Sequence, residues 1–190
     1  MNTFTKLTAI ALIGFATLTS CSNESKDSKE AAEDMNEAKF NKDDEKDADC
    51  LVNAYSSNMF EIKMSENAAM NATTADVKKL AGMIVEAHTR MNSDVKMLAD
   101  KKQVTLPSDL TDEQRNKIEK LADKTGIDYD KEYVSIMKDK HEDAIKTYEK
   151  YSEKCVDADI KTWAGQSVPE VRSHLDMVES TWNTIKDVKN

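Results

Sequence analysis

The chain has 190 residues, of which 36 are Asp or Glu and 27 are Lys or Arg, for a formal net charge of −9. Such an excess of acid repels phosphate backbones, which excludes nucleic-acid binding. With 4 Gly and 2 Pro in all, the turns that an all-β domain needs about every 8–12 residues have nothing to build them, so an all-α fold of one domain is expected.

Residues 1–20 read as a signal peptide. Lys6 supplies the positive charge and Leu7 to Leu18 an apolar run, shorter than the about 20 residues that span a bilayer. Leu18-Thr19-Ser20-Cys21 resembles the bacterial lipobox, whose cysteine becomes the lipidated first residue of the mature chain. Acyl chains contribute about 0.8 kcal/mol per buried methylene, so acylated Cys21 is expected to anchor the protein to a membrane. Ser22 follows instead of Asp, which by analogy with known sorting rules points to the outer membrane.

Residues 21–49 read as an acidic flexible tether. Between Ser22 and Asp49 there are 11 acidic and 5 basic residues and almost no large apolar ones, too little to offset ordering entropy. Residues 50–190 are expected to form the folded bundle. Cys50 to Met70 carries a first helix, with Ala54, Glu61 and Ala68 on one stripe. From Thr74 to Lys102 the seam Val77, Ala81, Ile84, His88, Met91, Val95, Leu98 alternates spacings of three and four, as in a packed helix. Thr73 or Thr74 caps its start. Thr111 and Gln114 predict a capping box for a short helix ending near Gly126. Asp128 is expected to cap a long helix bearing Tyr133, Met137, His141, Ile145 and Tyr148. Ile160 to Ile185 forms the last helix, with a kink or restart expected at Pro169, re-capped by Ser167 and Glu170. Four long amphipathic helices with short connections imply an antiparallel four-helix bundle of the ferritin-like kind, with an extra short helix before the third long one. No repeat of solenoid period is visible.

The chain has three histidines, each on the apolar seam of a different helix. His88 falls about fourteen residues into its helix, His141 about thirteen and His174 about seventeen, so in antiparallel helices they converge at one height. Glu61, about eleven residues into the first helix, is the carboxylate able to meet them, and Glu170 lies one turn before His174. Imidazole and carboxylate suit zinc, iron or copper. Met91, Met137 and Met177 each sit three or four residues from a histidine, and thioethers add a hint of copper(I). The competing reading is a packing layer, in which neutral imidazoles, Glu61, Tyr133 or Asp130 bond one another and fix register.

Residues 50–190 also resemble a ferritin-like envelope family catalogued as domain of unknown function 4142. The resemblance rests on Phe60-Glu61-Ile62, Leu80-Ala-Gly-Met83-Ile-Val-Glu-Ala-His88, Leu106-Pro107, Asp130-Lys-Glu-Tyr133 leading to His141, and Pro169 before His174-Leu175. It implies the bundle fold and an envelope location more than a reaction. The acid that usually precedes each of the first two histidines is Ala87 and Lys140 here.

Cys50 and Cys155 remain after lipidation, in an oxidising compartment, as a candidate disulfide. They share one end of the bundle if the Thr111–Gly126 helix is itself a rising leg, and lie at opposite ends otherwise. No phosphate loop, catalytic Ser-His-Asp arrangement or Cys-x-x-Cys pair is present, so the sequence leans away from an enzyme. The reading that emerges is an envelope lipoprotein with a candidate metal site. Its alternative is a structural or protein-interaction module.

Overall fold

The computed structural model describes residues 26–189; the signal peptide and Cys21 fall outside them. Six helices follow in order: α1 (Ser28–Glu37), α2 (Lys42–Asn71), α3 (Ala75–Lys102), α4 (Asp112–Ala122), α5 (Gly126–Lys154) and α6 (Ala158–Ile185). There is no strand among the described residues, as the scarcity of turn residues requires. Among the described residues no helix is long and apolar enough to cross a membrane.

α2 and α3 form one antiparallel hairpin and α5 and α6 another. Two buried aspartates fix how the hairpins meet. Asp47, near the start of α2, accepts the backbone N–H of Val156 (2.7 Å) and Asp157 (2.6 Å) in the α5–α6 turn. Asp130, near the start of α5, accepts those of Thr73 (2.7 Å) and Thr74 (2.8 Å) in the α2–α3 turn. Each hairpin therefore begins at the turn of the other, and α2 runs antiparallel to α5. The end of α3 is pinned beside the start of α6 by Lys101–Asp159 and Lys102–Asp157. The chain must then cross the length of the bundle to start α5, and α4 makes that crossing, a single long connection of the ferritin-like kind.

The hairpins repeat in sequence as well. Ala75-Asp-Val-Lys-Lys-Leu-Ala-Gly82 and Ala158-Asp-Ile-Lys-Thr-Trp-Ala-Gly165 are 83 positions apart, as are Asp47 and Asp130. Their turns leave the preceding helix in the same way: Ala72 has φ −58°, ψ 148° and Cys155 has φ −59°, ψ 148°. The repeat is of a whole hairpin and not of solenoid period.

Local rules account for most boundaries. Thr74 caps α3 by accepting the Val77 N–H at 3.4 Å. Thr111 and Gln114 form the reciprocal box at the start of α4. Three expectations are corrected. Residues 28–49 are not a flexible tether: α1 and the first turns of α2 are helical and docked. Asn36 is fully buried, and its side-chain amide both donates to and accepts from the Thr105 backbone (2.9 and 2.8 Å). The Ser28 hydroxyl accepts the N–H groups of Ser108 and Asp109. Polar bonds and the caps Asp27 and Asn41 hold there what apolar area does not. α5 opens at Gly126, whose φ of 62° suits glycine, two residues before Asp128. α6 runs unbroken through Pro169, with Ser167 donating to the Trp163 carbonyl (2.9 Å) instead of capping a restart. Fully buried Ala164 and Val171 on either side hold the helix against the one bond that proline removes.

The apolar interior has two parts. One gathers Phe60, Ile84, Tyr133 and Val178 toward the α2–α3 turn, and the other Leu51, Val95, Ile145 and Ile160 toward the α5–α6 turn. Along α3, α5 and α6 the histidines fall between them.

Candidate metal centre

Each long helix contributes one residue to a polar layer inside the bundle: Glu61 from α2, His88 from α3, His141 from α5 and His174 from α6, all at most 4 % exposed. The convergence expected from seam position and helix depth is present. Ring centroids lie 5.3 Å (His88–His141), 5.4 Å (His88–His174) and 5.7 Å (His141–His174) apart. One ring nitrogen from each lies within 4.8 Å of the others. Some point lies no more than about 2.8 Å from all three atoms so spaced, so side-chain shifts of roughly 0.7 Å reach the 2.0–2.1 Å of a metal–imidazole bond. A Glu61 Oε2 approaches His88 Nε2 at 3.7 Å and His141 Nδ1 at 3.5 Å.

Hydrogen bonds set the tautomers. His141 Nδ1 meets the Met137 carbonyl at 2.8 Å; a carbonyl only accepts, so Nδ1 carries the proton and Nε2 keeps its lone pair. His88 Nδ1 likewise donates to Asn58 Oδ1 at 3.0 Å, freeing its Nε2. Glu61 Oε1 takes the Ser57 hydroxyl at 3.3 Å, and Oε2 takes nothing. Glu61 Oε2, His88 Nε2, His141 Nε2 and His174 Nδ1 are all buried without a hydrogen-bond partner. Native interiors pair such atoms almost without exception, and here one unpaired atom from each of four helices lies in a single layer, with the His141 Nδ1–H, already given to the Met137 carbonyl, 3.5 Å from Glu61 Oε2 and the unpaired Asn58 amide nitrogen also buried. Burial pushes His174 down to about 4, helped by the neighbouring imidazoles. It also lowers His88, against the opposite pull of Glu61. Near neutral pH both rings are uncharged, the form that ligates.

The remaining candidates separate. Glu170 stands at the rim, one-third exposed, ion-paired with Arg90 and 3.9 Å from His174 Nε2. It is placed to orient His174 from outside the layer and not to complete it. The methionines do not follow the histidines inward as a set. Met177 is 39 % exposed and lines a surface groove with Asp76 and Lys79. Met137 sulfur takes the Ser65 hydroxyl at 3.9 Å, and Met91 belongs to the apolar cluster near the α5–α6 turn. Tyr133 and Asp130 bond elsewhere, to Ser65 and to the Thr73–Thr74 backbone.

Sequence reasoning missed Asn58 and Ser57, the outer partners of His88 and Glu61. Asn58 lies one turn before Glu61, and a polar residue three before a seam glutamate was the available signal. Asn58 and the Met137 carbonyl orient the first two imidazoles.

Fold and interior together define a class: a helical bundle of two repeated hairpins around a centre of three imidazoles and one carboxyl group. The chain belongs to the family described as Domain of unknown function (DUF4142), which matches residues 29–181. Among solved structures it is similar to a DUF305 protein of Streptomyces coelicolor, presumed secreted. The two share 16 % identity at a TM-score of 0.63, over 76 % of this chain and 96 % of that one, a likeness of fold. No curated protein matches the chain.

Proposed function

We propose that this chain is an envelope lipoprotein, anchored through Cys21 and directed to the outer membrane, whose bundle holds one divalent transition-metal ion between Glu61, His88, His141 and His174. The observation that carries the proposal is the set of buried, unpaired atoms on Glu61, His88, His141 and His174, with one nitrogen of each imidazole within 4.8 Å of the others, an arrangement that a cation relieves and that a packing layer does not explain. Three nitrogens and one oxygen suit zinc or copper(II), with copper the tighter by the usual order of affinities. Dispersed methionines argue against a site built for copper(I). Four protein ligands fill a tetrahedral shell and leave no open position for substrate, which favours holding or delivering the metal over turnover.

Isothermal titration of the full chain with zinc and with copper(II), beside His88→Ala and Glu61→Gln variants, tests this. One site per chain at micromolar Kd or tighter, weakened at least a hundredfold by His88→Ala, is expected. No saturable binding to the wild type leaves the layer as packing, and the chain as an interaction module.

A further inference from the structure

We infer that Cys50 and Cys155 form a reversible disulfide that locks the start of α2 to the α5–α6 turn; the inference does not rest on metal binding. Both cysteines are buried, 7 % and 3 % exposed, and belong to one cluster with Ala54, Tyr148 and Trp163. They are 105 positions apart in sequence and share the lining of one surface cavity of about 300 Å³. The crossing by α4 puts them at the same end. Asp47, one turn before Cys50, grips the N–H groups of Val156 and Asp157, the two residues after Cys155. The turn carrying one thiol is thus held against the helix carrying the other before any bond forms.

The thiols are free in this structure, and their proximity splits their acidities. Cys50 is pushed up, first by donating to Cys155 and then by burial; accepting that bond holds Cys155 below its ordinary value against burial. Lys161 favours the Cys155 thiolate, while Asp47 opposes ionisation of both thiols and Asp49 that of Cys50. The oxidant is a disulfide, of a protein or a small thiol. Cys155 thiolate attacks one of its sulfurs, the oxidant's S–S bond breaks, and one thiol leaves. Cys50, giving up its proton, then attacks the Cys155 sulfur of the mixed disulfide, and the second thiol leaves. Two electrons and two protons pass to the oxidant, which ends as two thiols.

The test uses the full chain carrying Cys21→Ser, so that two thiols remain, equilibrated with reduced and oxidised glutathione. Non-reducing peptide mapping is expected to find one intramolecular Cys50–Cys155 peptide pair, lost in Cys50→Ser, and a Tm higher in the oxidised than in the reduced protein by up to roughly 10–20 °C, the most that closure of so long a loop allows. Two persistent free thiols in excess oxidised glutathione overturn the inference, as do intermolecular dimers alone. A bond that forms without raising Tm overturns the locking. Mapping of the wild-type pair decides the question even if a serine variant fails to fold.

Discussion

Three buried carboxyl groups in this bundle meet opposite fates. Asp47 and Asp130 each spend both oxygens on two backbone N–H groups of the other hairpin's turn. Glu61, equally buried, has one oxygen on a serine and the other without a hydrogen bond, 3.7 Å from His88 Nε2 and 3.5 Å from His141 Nδ1. The aspartates occupy equivalent positions of the 83-residue repeat, whereas the position equivalent to Glu61 is Ala144. The repeated feature is satisfied and structural, and the unrepeated one is unsatisfied. Buried polarity that closes on itself specifies the fold; polarity left open is where a ligand belongs.

That contrast can be broken by experiment, starting where the effect is largest. Zinc at a thousandfold over its Kd should raise the unfolding free energy of the wild type by about 4 kcal/mol, read from urea curves, and leave His88→Ala unmoved. An equal shift in both proteins would place the ion elsewhere. Asp130→Ala or Asp47→Ala should each cost about 3 kcal/mol or more in the metal-free protein, because two turn N–H groups lose their acceptor inside. Glu61→Gln in the same metal-free protein should change stability by no more than about 1 kcal/mol, since the amide oxygen can keep the Ser57 bond and the oxygen it replaces makes none. Equal losses for Asp130→Ala and Glu61→Gln would erase the distinction.

Acid should act on the open layer. Unfolded histidine takes its proton near pH 6.5 and folded His174 only at about 4, so between these values the unfolded chain binds more protons. Metal-free stability is therefore full above pH 6.5 and falls as pH drops toward 4, by roughly 2–3 kcal/mol from His174, with His88 acting in the same direction. Urea midpoints across that range, in wild type and His174→Gln, check the sign; a variant that keeps the whole slope would assign it to other groups. The smallest effect is at the rim. Glu170→Gln should weaken metal binding about tenfold by loosening the orientation of His174 and leave folding nearly unchanged; a loss as large as that of His88→Ala would make Glu170 a ligand.

Much of this was legible in the chain. Histidines on three seams at similar helix depth forecast their convergence, because helical period and antiparallel packing fix height as well as face. The capping box at Thr111 follows from short-range chemistry, whereas whether α4 crosses the bundle stayed open until the Asp47 and Asp130 contacts fixed it. Other features were not legible in hydropathy. α1 is docked through Asn36 and Ser28, whose bonds to Thr105, Ser108 and Asp109 depend on residues about 70–80 positions away. Pro169 breaks a helical rule that tertiary packing overrides. The clamps were in plain sight as a repeat, Ala75-Asp-Val-Lys against Ala158-Asp-Ile-Lys, but only the turn geometry shows what Asp47 and Asp130 do.

The most direct measurement is X-ray absorption at the zinc edge on the chain loaded with one equivalent of zinc. A four-coordinate shell of nitrogen and oxygen at about 2.0–2.1 Å, with the outer-shell scattering of three imidazoles, is the expected result. A sulfur shell near 2.3 Å, which would move the ion to Cys50 and Cys155, or a hydrated six-oxygen shell would contradict a metal centre built from Glu61, His88, His141 and His174.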